Sequence, residues 1–189
     1  MSIRLVLLDS GGSNLGSVQA AFTRMGVEAP VTSDPVKIKN ATHVILPGVG
    51  AAKVSMDRLH ENGLIDVIPT IQQPLLGICV GMQLLFESSA EGDTQCLGLL
   101  PGRVKKLQAQ AGIRIPHMGW NQVQQAERHP LWDGIDDGAR FYFVHSYYVE
   151  PASPEVIAGS THYGIPFTSA VARANIFAVQ FPPEKRAQA

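Results

Sequence analysis

Cys79 stands at the centre of Gly77-Ile78-Cys79-Val80-Gly81, directly after the apolar run Pro74-Leu75-Leu76, an arrangement from which a thiol can act as a nucleophile. A strand that turns sharply into a helix pushes the central side chain away from the backbone. Glycines two positions to either side remove the Cβ atoms that would collide there. A cysteine at the end of a buried strand is more often an inert core residue, but the glycine frame reverses that expectation. The chemistry would be covalent: the sulfur attacks a carbonyl carbon, and the N–H of Val80, opening the next helix, holds the oxyanion. A helix N-terminus behind the sulfur also favours thiolate over thiol.

Pro47-Gly48-Val49-Gly50 by itself would only end a strand. After a neighbouring parallel strand it lies at the carboxyl edge of the sheet, where open α/β folds bind ligands, and can supply a second oxyanion donor. Histidines at 43, 60, 117, 129, 145 and 162 lack the spacing of a metal site, so no metal is expected. His145 and Ser146 sit among aromatic residues over 141–148, which suits either a sheet face or a pocket wall. The segment 115–121, with His117, Trp120 and Asn121, is similarly dense in special residues.

These residues need a scaffold, and the first half of the chain alternates short apolar runs with amphipathic segments as a parallel sheet flanked by helices does. Strands are expected over 3–8, 27–31, 43–46 and 75–78. Helices are expected from Leu15 to the stop at Gly26, over 51–62 and over 80–87, with a loop over 9–14. Beyond about residue 95 the pattern is β-rich, with strands over 102–107, 121–123, 140–149, 156–161, 168–172 and 176–181. The fold class is therefore α/β, an open and largely parallel sheet with a β-rich C-terminal half, in a single domain over 1–189.

With 15 Lys and Arg against 16 Asp and Glu, no basic stripe is long enough to track phosphates, and nucleic acid is not an expected partner. No apolar run reaches the roughly 18 residues that cross a bilayer, and Asp9 interrupts the apolar start, so no membrane is expected either. Cys79 and Cys96, outside any CxxC pair, fit a reducing cytoplasm.

Gly-Ile-Cys-Val-Gly-Met-Gln at 77–83 and Pro-Gly-Val-Gly at 47–50 resemble class I glutamine amidotransferases. Ile-Pro-His-Met-Gly-Trp-Asn at 115–121, Phe-Val-His-Ser-Tyr at 143–147 and Tyr-Gly-Ile-Pro-Phe at 163–167 resemble, within that class, the glutaminase subunits of imidazole glycerol phosphate synthase. The resemblance runs from Val6 to Lys185. It implies a flavodoxin-like fold, no cofactor, and a Cys-His-Glu triad that hydrolyses glutamine to glutamate and ammonia. The ammonia would pass to a (β/α)8-barrel cyclase subunit, held as a heterodimer, which makes imidazole glycerol phosphate and an aminoimidazole carboxamide ribotide.

Carried over, the resemblance makes Cys79 the nucleophile of a γ-glutamyl thioester, with Val80 and Gly50 holding the oxyanion. Gln83, His145, Ser146 and Tyr147 would border the bound glutamine, Trp120 would lie toward the cyclase, and Glu184 would be the triad acid. Two departures stand out. The family's Gln-Phe-His-Pro-Glu reads Gln180-Phe181-Pro182-Pro183-Glu184, so the triad histidine's position holds Pro182, which has neither a basic atom nor an N–H. The family's final amphipathic helix has no counterpart in 186–189, which leaves a sheet face expected to be uncovered. Impaired glutaminase activity is therefore expected, with His145 or His117 as conceivable replacement bases. The alternatives are a non-catalytic partner of a cyclase fed by free ammonia, and an amidotransferase serving another acceptor.

Overall fold

The computed structural model describes residues 2–12 and 15–187. Ser13 and Asn14 of the expected loop, and Gln188 and Ala189 of the expected tail, lie outside the described residues. Strand and helix alternate through the first half: β1 (Leu5–Leu8), α1 (Leu15–Arg24), β2 (Val31–Thr32), α2 (Pro35–Asn40), β3 (His43–Leu46), α3 (Ala52–Glu61), β4 (Leu75–Ile78) and α4 (Val80–Leu84). The rest is β-rich: β5 (Ser88–Ser89), β6 (Thr94–Gln95), β7 (Gly102–Lys106), β8 (His117–Gln122), β9 (Gln124–Gln125), β10 (Arg140–His145), β11 (Tyr147–Pro151), β12 (Ile157–Tyr163), β13 (Ile165–Arg173) and β14 (Ile176–Val179).

The α/β architecture follows from burial on both faces of the first strands, since Leu5–Leu8 is buried throughout and such strands need helices above and below. Twelve strands form one sheet whose main path runs β2-β1-β3-β4-β14-β13-β11-β7-β5-β6. From β2 to β14 the pairs are parallel. Beyond β14 they are antiparallel, except for β5 with β7. Parallel order is thus confined to the half that carries the glycine motifs, and the sheet as a whole is mixed. β8 and β10 form a separate two-stranded ribbon.

One core layer gathers Val6, Leu8, Val44, Leu46, Met56, Leu59 and Met82 on the face covered by α3 and α4. The opposite face gathers Leu5, Leu7, Val18, Ile45 and Ile78 under α1. A third cluster, with Phe141, Phe143, Phe167, Phe177 and Phe181, fills the β-rich half. Beside α1 lies an apolar groove of about 450 Å³, lined by Leu5, Phe22, Ile45, Leu76, Leu131 and Phe177 among others.

Several elements differ from the expectation for physical reasons. The strand expected over 27–31 is only Val31–Thr32, because Val27 N–H turns back to Phe22 O and the pairing with β1 begins at Pro30, whose carbonyl accepts from Leu7 N–H. Helix α2 has no counterpart among the expected elements; Asp34 caps it, accepting from Val36 N–H at 2.9 Å, and Pro35 opens it. The helix expected over 80–87 ends at Leu84, because the carbonyls of Leu84, Leu85 and Phe86 accept from the N–H groups of residues 97–100 instead. The strand expected over 140–149 breaks at Ser146: its first half pairs with β8 and its second with β7.

Candidate active site

Cys79 adopts φ 54°, ψ −119° between β4 and α4, a left-handed backbone for a residue that has a Cβ. Such a conformation costs on the order of 1–3 kcal/mol and persists only where its surroundings enforce it. A Cβ on Gly81 would collide with the carbonyl oxygen of Leu46, and one on Gly48 would collide with Gly81 N. A Cβ on Gly77 would lie 3.1 Å from the Ala178 Cβ and 3.2 Å from the Met82 Cα. The ends of β3 and β14 therefore press directly on the elbow, and Cys79 N–H donates to Val179 O at 2.8 Å.

The elbow opens on a cleft of about 440 Å³ that brings together Gly50, Cys79, Val80, Gln83, His145, Ser146, Tyr147 and Pro182. Of the residues the resemblance assigned to the triad, the oxyanion and the glutamine, all but Glu184 line it, whereas His117 and Trp120 do not. The N–H of Val80, in the first turn of α4, has no acceptor within its own helix. Gly50 has φ 87°, at the end of the turn that leaves β3. That turn is anchored by a residue the sequence did not single out: Ser10 Oγ donates to Pro47 O at 2.6 Å. Gln180 and Glu91 also line the cleft. Glu91 Oε2 accepts from Ala52 N–H at 2.8 Å and so caps α3 from across the fold. Ser10 and Glu91 carried no local signal, since only the tertiary fold brings them here, and Gln180 figured only as the first residue of the segment 180–184.

Gln83 and His145 are committed to the protein itself. Gln83 Nε2 donates to Tyr147 O at 3.2 Å and to Gln180 Oε1 at 3.0 Å. His145 Nδ1 lies 2.8 Å from Tyr147 O, which can only accept, so the proton sits on Nδ1. Nε2 then accepts from His117 Nδ1 at 2.9 Å, and His117 Nε2 in turn accepts from Asn121 Nδ2 at 3.2 Å. The His117 ring is stacked against Phe143 and Tyr163. Burial pushes both histidines down to about 4; the neighbouring His145 adds to the fall at His117, whereas the hydrogen bond to Tyr147 O opposes it at His145. Neither has a free basic nitrogen near neutral pH, which argues against both as replacement bases.

Pro182 is buried in the wall of the cleft, and Glu184 lies behind it on a separate cavity of about 30 Å³ shared with Leu15, Val18, Ile78 and Cys79. Glu184 Oε1 is buried there without a hydrogen-bond partner. Burial, and next the charge of Glu184, push the Cys79 thiol up to about 12 against the opposing pull of Lys185. The sulfur is a thiol at neutral pH. Enclosure and the charge of Glu184 thus work against the thiolate that the helix N-terminus favours.

A family model described as "Glutamine amidotransferase class-I" matches residues 6–189. Imidazole glycerol phosphate synthase subunit HisH of Thiobacillus denitrificans is 50% identical over 196 residues, covering 98% of this chain and 86% of that protein. The protein of the same name from Nitrosomonas europaea is 50% identical over 192 residues, covering 96% and 91%. Among solved structures, PurLQS from Thermotoga maritima superposes with a TM-score of 0.72 at 18% identity, over 97% of this chain and 89% of that one, a likeness of fold alone.

Proposed function

The chain belongs to the class I glutamine amidotransferases, and from that premise we propose that it is the glutaminase subunit of an imidazole glycerol phosphate synthase, supplying ammonia for histidine biosynthesis in the cytoplasm. Relatives half identical over nearly the whole chain support that assignment. The observation that carries the chemistry is Cys79 held at positive φ at the edge of a cleft of about 440 Å³, a volume suited to a free amino acid.

In this reading, glutamine enters the cleft with its carboxamide carbon facing Cys79 Sγ. The N–H groups of Val80 and Gly50 hold the oxyanion as the thioester forms and ammonia leaves. Ser146 and Tyr147 border the amino acid. Gln83 and His145 act through Tyr147, whose carbonyl both hold in place. The cyclase subunit, which is a (β/α)8 barrel, docks on the ribbon of β8 and β10. Met118, Trp120 and Val144 are 61, 49 and 53% exposed there, and Val144 also lines the mouth of the cleft.

Pro182 limits the activity, because it offers no atom that could take the thiol proton or return one to the leaving ammonia. Acid–base assistance is worth about 10²- to 10⁴-fold. The deciding measurement is glutamine hydrolysis with the cyclase subunit present, for the chain as it is and for Pro182→His. Turnover that is very low and rises about 10²-fold or more in the variant supports the reading; a variant no better than the parent refutes it. A second reading, a non-catalytic partner of a cyclase fed by free ammonia, is favoured specifically by the unpartnered Glu184 Oε1 and the protonated thiol. It predicts full ammonia-dependent cyclase activity that glutamine cannot replace.

A further inference from the structure

Tyr147 O, at the head of β11, is approached from two elements at once: His145 Nδ1, at the end of β10, lies 2.8 Å away and Gln83 Nε2, in α4, 3.2 Å away. A carbonyl oxygen can only accept, so it decides which way round the Gln83 amide stands. The second hydrogen on Nε2 goes to a side-chain atom of Gln180 at 3.0 Å. That atom must be the Gln180 oxygen, because two facing amide nitrogens would both be donors. Gln180 is held in turn just beyond β14, where its N–H donates to Ser169 O at 2.9 Å. One carbonyl thus orients two side-chain amides that the fold draws from α4 and from the end of β14.

Both hydrogens of the Gln83 amide are spent, but its oxygen is not. No hydrogen bond among the described residues uses Gln83 Oε1. The buried side-chain polar atoms that lack a partner among those residues are Trp132 Nε1 and Glu184 Oε1. Gln83 Oε1 is therefore reached from outside the protein, although the residue is only 2% exposed, and the space on which Gln83 borders is the cleft. Gln180 lines the same cleft.

Resting on the reading of this cleft as the glutamine site, we propose that Gln180 is a positioning residue that sets the polarity of the cleft through Gln83. With the Tyr147 carbonyl it takes both hydrogens of that amide and leaves Oε1 alone to face the ligand. The cleft then offers an acceptor to an N–H group of the bound amino acid. Without Gln180, the single bond of 3.2 Å to Tyr147 O would hold Gln83. The amide would turn about its last torsion, which is broad and roughly two-fold, and present its NH2 for part of the time. A ligand N–H would meet a donor there, and binding would have to order the amide first.

Slow turnover, set by Pro182, lets glutamine binding be measured at equilibrium, by titration calorimetry on the complex of the chain with its cyclase. Gln180→Met, which keeps the length and removes the acceptor, should raise Kd about fivefold or more. Gln83→Met should do the same. Adding Gln180→Met to it should then change Kd by less than about twofold, because a residue that acts through Gln83 has nothing left to act on. A second measurement leaves position 180 intact: in the isotope-labelled parent, the Gln83 side-chain amide hydrogens should exchange with solvent at least about tenfold more slowly than those of exposed Gln72. If glutamine binds the parent and Gln180→Met alike, the positioning role is refuted while the glutamine cleft stands. The same holds if Gln180→Met weakens binding by an equal factor with Gln83 already replaced, since Gln180 would then act on the ligand directly. Where Gln180→Met does not fold, the amide hydrogens decide: slow exchange upholds the role, and exchange as fast as at Gln72 refutes it. If the parent itself binds no glutamine, the glutamine cleft is refuted, and the positioning role with it.

Discussion

Cys79 shows how a conformation that exposes a nucleophile can still leave it unreactive. The elbow aims the sulfur at the cleft, but the thiol's pKa of about 12 follows from enclosure and from Glu184, neither of which a five-residue motif encodes. Since the reactive form is the thiolate, alkylation by iodoacetamide should rise about tenfold per pH unit between pH 7 and 9 without levelling. A curve that bends over at about pH 8.5 to 9 would mean an ordinary thiol. His145 gives the complementary prediction. With both nitrogens engaged, His145→Ala should not abolish whatever turnover the parent shows by removing a base; it should raise KM by loosening Tyr147. If kcat alone fell to background, His145 would be the base. The buried neutral histidines also carry a pH signature. Their folded pKa values, about 4, lie below the ordinary 6.5, so the stability they lend is present above about pH 6.5 and is lost as pH falls through 4. The melting temperature should drop over that window, and drop less in His117→Phe, which removes one titrating group.

At the scale of elements, the glycines were legible because their constraint is local, whereas element ends were not. Gly77 and Gly81 announced the strand–turn–helix around Cys79 through the close approaches they permit, and the structure supplies those approaches in Leu46 O and Ala178. Replacing Gly81 by Ala should therefore cost more than about 3 kcal/mol in urea denaturation or displace the elbow. Gly16→Ala, in α1 with nothing near its Cβ position, should instead stabilise by about 0.5 kcal/mol. Equal effects at the two sites would contradict the wedge. What stayed illegible was settled by distant partners. Residues 97–100 end α4 by taking its carbonyls, and Pro30 delays β2. Ser146 divides one aromatic run between two sheets. Ser10 and Glu91 escaped notice for the same reason, since each reaches the site from a segment whose sequence reads as ordinary loop or turn.

For the molecule as a whole, the cyclase contact proposed above is the ribbon of β8 and β10, which exposes Met118, Trp120 and Val144, the last also at the edge of the cleft. Trp120→Glu should weaken association at least about tenfold in a titration followed by size-exclusion chromatography, while the melting temperature stays within a few degrees because Trp120 lies outside the core. Unchanged affinity would move the interface elsewhere. The wedge around the elbow has a further consequence, this time for exchange with solvent. Cys79 N–H is bonded to Val179 O, Gly81 is clamped against Leu46 O, and Leu46, Ile78 and Val179 belong to the inner parallel strands. No local fluctuation frees that amide: the strands must first separate. In deuterated solvent the Cys79 amide should be among the last to exchange, at a rate set by global unfolding, so the residue most exposed to substrate would be among the least exposed to fluctuation.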